Sequence, residues 1–549
     1  MESTSLSASA RELAPLVVSF TDDPRVVKEA ANEDYTTHVV PRSWRASKKS
    51  LSMSWYSLVS GMFYLVTAAT LASVVGTVDT LIGIVLACIA FGALGYITSK
   101  YAAKTGLTVA LVSQRLFGAS GSIVAPLILT ATAMYYAVFE STVIAHALHA
   151  FFGAFDIRVW YAIAVAMNLP LVIGGIRRWM DKYNAALLPI YWIGLLLVVY
   201  LAASKVDTSG WLAHKPSAAA DLAAPGWLYA FFVYLGVLVL IMFTLDFARF
   251  GKVEDARANG MVTFGPVFYV FVYLANGLLG IFIAYAAGLS AGVSSETIVE
   301  FIISLMGGWG LLLVWVTQAR INTANFYVAS TNMEDLWTKL FRRKISRVGS
   351  VLICGAIIYL FMLSDVLSYL FVALAWQGAF IASWVSILLI HVLLEQDDLA
   401  EFRPGRLVSF TAGAWIWIGS SILGVLFYQF GGTIGAVWST PATFALSGIL
   451  YAATYRSQRR KVLLQRGGDP RNEVKDPWEA RVQCHVCDHS YIAVEMDRDP
   501  SVVGSPAICA GCAAINSNYR KACIAEHERQ SAGVGGLKSE PGTFVAAKR

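Results

Sequence analysis

The sequence predicts an all-α polytopic membrane protein, and three observations carry that prediction. The 549 residues are 57% hydrophobic and only 14% charged; roughly a quarter charged is usual in a soluble domain, so most of this chain does not face water. About twelve apolar stretches reach the roughly 18 to 25 residues needed to cross a hydrocarbon core as a helix. Basic residues concentrate in alternate loops, as they do when one side of a membrane retains them.

Taken in order, the expected spans are 52–76, 78–98, 120–150, 157–174, 183–203, 225–247, 263–288, 307–331, 346–363, 365–392, 407–428 and 434–455. The stretch 293–306, which contains Glu296 and Glu300, is too short and too polar to span and reads as a surface or re-entrant helix. One set of loops carries Lys100, Lys104 and Arg115; Arg177, Arg178 and Lys182; Arg249, Lys252 and Arg257; Lys339, Arg342, Arg343, Lys344 and Arg347; and Arg403 and Arg406. The opposite set offers little beyond Arg158, Lys205 and Lys215. The positive-inside rule places the first set in the cytoplasm, and an even number of spans then puts both termini there, in a cell membrane. Residues 1–51 lack the order of a cleavable leader and read as a cytoplasmic tail before a membrane domain at 52–455. The net charge of +6 is mostly this topology signal. No nucleic-acid partner is needed to explain it.

After residue 455 the composition changes. A charged, turn-rich linker is expected at 456–477, then a small module at 478–527, then a disordered tail at 528–549. The module contains "CHVC" and "CAGC", so Cys484, Cys487, Cys509 and Cys512 form two C-x2-C knuckles separated by about twenty residues. Two such knuckles can hold one structural Zn²⁺ tetrahedrally, and a cytoplasmic location disfavours the competing disulfide framework. Cys523, His485, His489 and His527 are candidate substitutes. A closed four-sulfur site has no open coordination position, so it carries no catalysis; the sequence points to no organic cofactor. The module is also the natural place for a cytoplasmic protein partner.

Function is written in the intramembrane charges. Glu140 and Arg320 lie inside apolar runs rather than at their ends, where a charge costs on the order of 3 kcal/mol and usually faces protein or a watery path. Two readings stand: a transport site, or a buried Glu140 to Arg320 ion pair that holds two helices together. Tyr136 lies one turn before Glu140 on the same face, so a ring and a carboxylate point together into the bundle. No nucleophile, phosphate loop or open metal site accompanies the carboxylate, which argues against an enzyme.

The stretches "NEDYTTHVVPRSW" (32–44), "YAAKTGLTVALVSQRLFGASGS" (101–122), "LDFARFGK" (245–252) and "NTANFYVASTNMEDL" (322–336) resemble the nucleobase:cation symporter-1 family, most of all its cytosine permease branch. The resemblance covers about residues 32 to 455 and excludes the cysteine module. It implies a LeuT-like core of two five-helix inverted repeats with two peripheral helices, importing a heterocyclic base with a cation, H⁺ or Na⁺. The first and sixth helices are then each broken near mid-membrane, and Gly61, Gly236 and the cluster "TAAT" beginning at Thr67 permit such breaks. Carried over, the base site falls on Tyr135 or Tyr136, on Phe139 or Glu140, on the neighbourhood 240–244 with Phe243 and Thr244, and on Asn322 or Asn325. Thr67, Arg320, Asn322 and Thr323 surround the expected cation. Where sodium-coupled relatives supply two adjacent hydroxyls from the eighth helix, this chain has Ile321 and Asn322. Isoleucine does not ligate sodium, and Arg320 brings a fixed charge that can stand in for the ion. Rival readings are a transporter of an amino acid or amine, and a transporter-like receptor signalling through the module.

Overall fold

The computed structural model describes residues 13–534 apart from 173–179, 217–221, 289–292, 365–369 and 396–398. Among them, seven helices are long and apolar enough to cross a membrane: Thr77–Thr105, Gly121–Phe152, Asp181–Lys205, Ala256–Ala286, Ala375–Leu394, Ala412–Phe430 and Gly432–Gln458. The count rises to nine when two bent pairs are each taken as one span. The other three expected spans are also helices. Ile157–Asn168 and Arg347–Leu363 are short, and Gly308–Phe341 is long but carries Gln318, Arg320, Asn322 and Asn325 along its middle. The short polar helix is present as Ser295–Met306, started by a reciprocal Ser294 and Thr297 capping box. Arg177 and Arg178, of the expected basic loops, lie outside the described residues, as does the start of the tenth expected span.

Two of the spans are broken. The first runs as Lys48–Ser60 and Met62–Val75 with a 43° bend; the sixth runs as Gly226–Leu235 and Val239–Ala248 with a 41° bend. Gly61 is the hinge of the first, in extended backbone at φ −65° and ψ 129°. Its lack of a side chain is a packing requirement, because a Cβ there would sit 2.3 Å from Cδ1 of Ile321 and 3.1 Å from Oε1 of Glu140. At Gly236 nothing but the Val233 carbonyl comes close; glycine there eases the turn without being demanded by its neighbours. The third span (Gly121–Phe152) and the eighth (Gly308–Phe341) pack along each other, and the eighth also meets the end of the first half-helix. Both breaks therefore open toward this pair.

The basic loops converge on one face of the bundle, where they meet both ends of the chain. Arg45 donates to the carbonyls of Ala103 and Gly251, each at 2.7 Å, and Arg249 donates to those of Asp34 and Tyr35. Strand β1 (Val18–Ser19) pairs antiparallel with β2 (Arg481–Gln483), which pairs with β3 (Ser490–Ile492). The described N-terminal and C-terminal segments thus lie together on this face of the bundle. The stretch expected as a linker is fastened down: Arg466 bonds Asp497 at 2.6 Å and Glu526 at 2.8 Å, and Asp469 bonds Arg403 at 2.7 Å. The tail expected to be disordered from 528 is helical at its start, because Ser517–Val534 forms one helix whose first turns are anchored by Tyr519 and Glu526; residues 535–549 lie outside the described residues.

Candidate substrate pocket and cysteine centre

Breaking a helix inside a bundle leaves carbonyls at one new end and amides at the other without intrahelical partners. At the end of the first half, the Tyr56 carbonyl accepts Nη2 of Arg320 at 2.8 Å. The Val59 carbonyl accepts Nδ2 of Asn276 at 2.6 Å and the Tyr191 hydroxyl at 3.5 Å. A guanidinium therefore stands at the negative end of a half-helix dipole. It also lies 5.9 Å from the centroid of the Tyr191 ring, and its Nε and Nη1 have no acceptor among the described residues.

Glu140 occupies the opposite end. Its carboxylate abuts Gly61 and faces the Phe63 amide at the start of Met62–Val75, where a negative charge suits the dipole. It is fully buried, and neither oxygen makes a hydrogen bond of ordinary geometry. The ion pair with Arg320 that the sequence left open is not formed. The break separates the two charges, and each serves a different half-helix.

Between the two breaks lies a small pocket lined by Tyr136, Glu140, Phe243 and Asn325, with Leu58, Phe63, Tyr64, Val237, Val239, Leu240 and Ile321 also in its walls. Tyr136 meets Phe63 edge to face at 5.5 Å. Nδ2 of Asn325 has no partner among the described residues. The remaining candidates sit around this pocket rather than on it. Phe139 packs behind Phe63 at 6.1 Å, and Tyr135 is half-buried with its hydroxyl unpartnered. Thr244 bonds back to the Leu240 carbonyl. Asn322 donates to Ser141 at 3.2 Å. Thr323 donates to the Arg320 carbonyl at 2.6 Å and accepts from Asn184. Thr67 is half-buried further along the second half-helix. The structure thus gathers Tyr136, Glu140, Phe243 and Asn325 and leaves the others in supporting positions.

Sequence reasoning missed Phe63 and Tyr64, aromatic residues directly after the hinge, and Asn276, which caps the broken helix. It also missed Gln318, fully buried with both amide atoms unpartnered. A signal existed for the last: Gln318, Asn322 and Asn325 recur at i, i+4 and i+7 on one helix face.

In the terminal module, the sulfurs of Cys484, Cys487, Cys509 and Cys512 all lie within 4.8 Å of one another, with Cys487 and Cys509 at 3.9 Å. Zn–S bonds of about 2.3 Å in a tetrahedron put sulfurs roughly 3.8 Å apart, so the donor set fits a metal ion. Backbone amides of Cys509 and Cys512 point at the sulfurs of Cys484 and Cys509, the outer-shell bonds that orient thiolate ligands. The candidate substitutes are engaged elsewhere: His485 with Asp499, His489 beside Glu29, and His527 accepting from the Gln465 amide. Cys523 is buried next to Arg466 and Tyr519.

No family model and no curated protein matches the sequence. Solved structures do. Mhp1, described as a nucleobase-cation-symport-1 family transporter, in a closed conformation with bromovinylhydantoin bound, superposes with a TM-score of 0.62 at 15% identity, over 83% of this chain and 99% of that one. Its inward-facing conformation gives 0.63 at 15% identity, over 84% and 98%. A Na⁺-coupled sialic acid symporter, substrate-bound and outward-open, gives 0.56 at 15% identity, over 78% and 92%. The chain has the fold of these transporters, the LeuT-like arrangement the resemblance implied.

Proposed function

We propose that this chain is a secondary active transporter that imports a nucleobase or a related heterocycle by alternating access across the cytoplasmic membrane, as a relative of the nucleobase:cation symporters. The observation that carries the reading is the pocket between the two helix breaks, where a carboxylate and an amide with unused hydrogen-bonding atoms face aromatic rings. Its composition, mostly apolar with few polar groups, is that of a ligand site. An ionised carboxylate only accepts hydrogen bonds, so Glu140 favours a ring edge with adjacent N–H donors, such as guanine's amide and amine or a protonated aminopyrimidine. Uracil, with one N–H between two carbonyls, fits poorly.

Arg320 speaks to coupling. A guanidinium already bonds the carbonyl end of the first half-helix, where a monovalent cation would otherwise find its ligands. Uptake is accordingly independent of sodium, and either proton-coupled or facilitative. The four-cysteine centre holds a structural Zn²⁺. An uptake panel of radiolabelled bases, in cells lacking their own base permeases, tests the substrate class; accumulation of an amino acid or amine in place of any base refutes it.

Arg45 bonds the ends of the second and sixth spans and lies 5.9 Å from the ring centroid of Trp478 in the module; this link favours a second reading, in which the module reports occupancy as a receptor does. Substrate that binds without accumulating would distinguish that role.

A further inference from the structure

A cavity of about 130 Å³ lies on the face opposite the basic loops, where the second half of the first span (Met62–Val75), the start of the second and the end of the seventh meet the loop that carries Trp211 and His214. Toward the membrane centre the first and seventh spans pack with their backbones in contact, so that a Cβ on Gly280 would collide with the Leu65 backbone. Beyond that seam the lining is Ala69, Ala72 and Ala284, and side chains this short leave space between the helices. The loop over it is fastened. The Thr77 amide donates to the His214 carbonyl at 3.1 Å, the Thr77 hydroxyl donates to the Trp211 carbonyl at 2.9 Å, and the Trp211 ring meets Phe282 edge to face at 5.6 Å. Protein interiors hold few gaps larger than a water molecule. A cavity of about 150 Å³ takes up a benzene ring, so this one has room for a single ring.

The polar groups say what kind of ring. Ser73 gives its hydroxyl proton to the Thr70 carbonyl at 2.7 Å and Thr77 gives its own to Trp211, so these two lining oxygens have only lone pairs left to offer. They accept from N–H groups and disfavour a carboxylate or phosphate. His214 and Tyr285, which also line the cavity, stand edge to face at 5.8 Å, and the polar atoms of both side chains are without a hydrogen-bond partner among the described residues. The Tyr285 hydroxyl can donate as well as accept. An apolar floor with two acceptors and a donor is complementary to a planar ring that carries both N–H and carbonyl or ring-nitrogen groups. The cavity is separate from the substrate pocket, because Phe63 and Tyr64 line the pocket near one end of Met62–Val75 and Ala72 and Ser73 line the cavity near the other. From Phe63 to Ser73 the helix rises about 15 Å.

We infer that this cavity is a second binding site, for a neutral single-ring heterocycle with an N–H edge, which lies against Ala69, Ala72 and Ala284 and bonds Ser73, Thr77 and Tyr285. The assignment does not depend on what the substrate pocket carries, and the test keeps the two apart. Purified full-length protein in detergent is dialysed against radiolabelled cytosine, uracil or hydantoin, and binding is measured for wild type, for Glu140→Ala, and for Ala72→Leu made in the Glu140→Ala background. The expected result is saturable binding of at least one of these rings that survives Glu140→Ala and weakens about tenfold or more when Ala72→Leu fills the cavity. Because a filled cavity could disturb folding, His214→Ala, in a partly exposed loop side chain, is the second variant: it should weaken the same binding while leaving the melting temperature of ligand-free protein unchanged. Two equivalents per chain in wild type, falling to one in Glu140→Ala, support both sites. A single equivalent that ignores Glu140→Ala and is lost with Ala72→Leu supports this site and counts against the pocket. Absence of saturable binding in Glu140→Ala overturns the inference and leaves water as the occupant, and binding that neither Ala72→Leu nor His214→Ala weakens overturns it as well.

Discussion

Two regions of this molecule bury charge, and they treat it in opposite ways. In the cap, Arg403 bonds Glu401, Asp469 and the Met496 carbonyl, while Asp497 receives Arg406, Arg466 and the Tyr519 hydroxyl. No polar side-chain atom of these residues is left unmet among the described residues. In the bundle, the Glu140 carboxylate makes no hydrogen bond of ordinary geometry, and the Gln318 amide, Nδ2 of Asn325 and Nε and Nη1 of Arg320 have no partner among the described residues. The bundle groups are if anything the more deeply buried, yet it is the cap groups that are satisfied. Satisfied charge fixes a structure, whereas unsatisfied charge at a pocket is a site waiting for a ligand.

The sharpest way to break this comparison is to remove one carboxylate from each region. Glu140→Ala should abolish high-affinity uptake while leaving expression and melting temperature close to wild type, because the carboxylate forms no ion pair among the described residues. Glu140→Gln should retain transport with a changed ranking of bases and a changed pH profile, since an amide donates as well as accepts. Asp497→Asn should do the reverse, leaving selectivity alone and costing about 3–5 kcal/mol of cap stability, as expected when one member of a buried ion cluster is removed. If Glu140→Gln only lowers stability, the carboxylate is a structural group and the contrast fails.

The four-cysteine cluster belongs with the satisfied charge if it holds the proposed ion. Chelation, or Cys509→Ser, should loosen the β2 to β3 hairpin and with it the β1 strand paired to it, because so small a unit has little core of its own and draws folding free energy from the ion. Hydrogen exchange on the full chain reads this directly. Protection of residues 481–492 that is unchanged after metal removal would show that the ion cluster alone holds the cap.

The contrast also explains what the sequence could reveal. Spanning helices were legible because lipid demands a long apolar run, and Glu140 was legible because that demand makes a carboxylate conspicuous. Tyr136 followed by helical spacing. Phe63 and Tyr64 did not, since an aromatic residue in an apolar helix is ordinary until the bend turns it inward. The cap was the least legible. Its charges sit in a polar, turn-rich stretch that reads as solvated linker, and their partners are remote: Arg403 meets Asp469 and Arg406 meets Asp497 across 66 and 91 positions. A two-residue strand such as Val18–Ser19 offers no period to detect.

Sodium provides a smaller effect with a clear direction. Replacing Na⁺ with choline at constant pH should leave uptake nearly unchanged, because Arg320 already holds the carbonyl end of the first half-helix. A large loss would mean that sodium binds elsewhere and that its site is built from other groups.

The smallest expected effect is the response of the cap to acid. Burial by itself would raise the Asp497 carboxyl, but Arg466, then Arg406 and Arg403, hold it below the ordinary aspartate value; Asp469 is lowered against burial by Arg403 and Arg406. A group whose folded pKa is depressed contributes stability above its unfolded value, near pH 4, and loses it as the pH falls through the folded value. Hydrogen exchange of β2 and β3 should therefore be flat above about pH 4 and accelerate, relative to the intrinsic rate, only below it. Metal release in acid would look similar, so the comparison must include Asp497→Asn, whose cysteines are intact. If the ion cluster causes the response, the variant starts from a less protected cap and loses less protection on acidification; an identical acid response in both proteins would assign the transition to the metal centre instead.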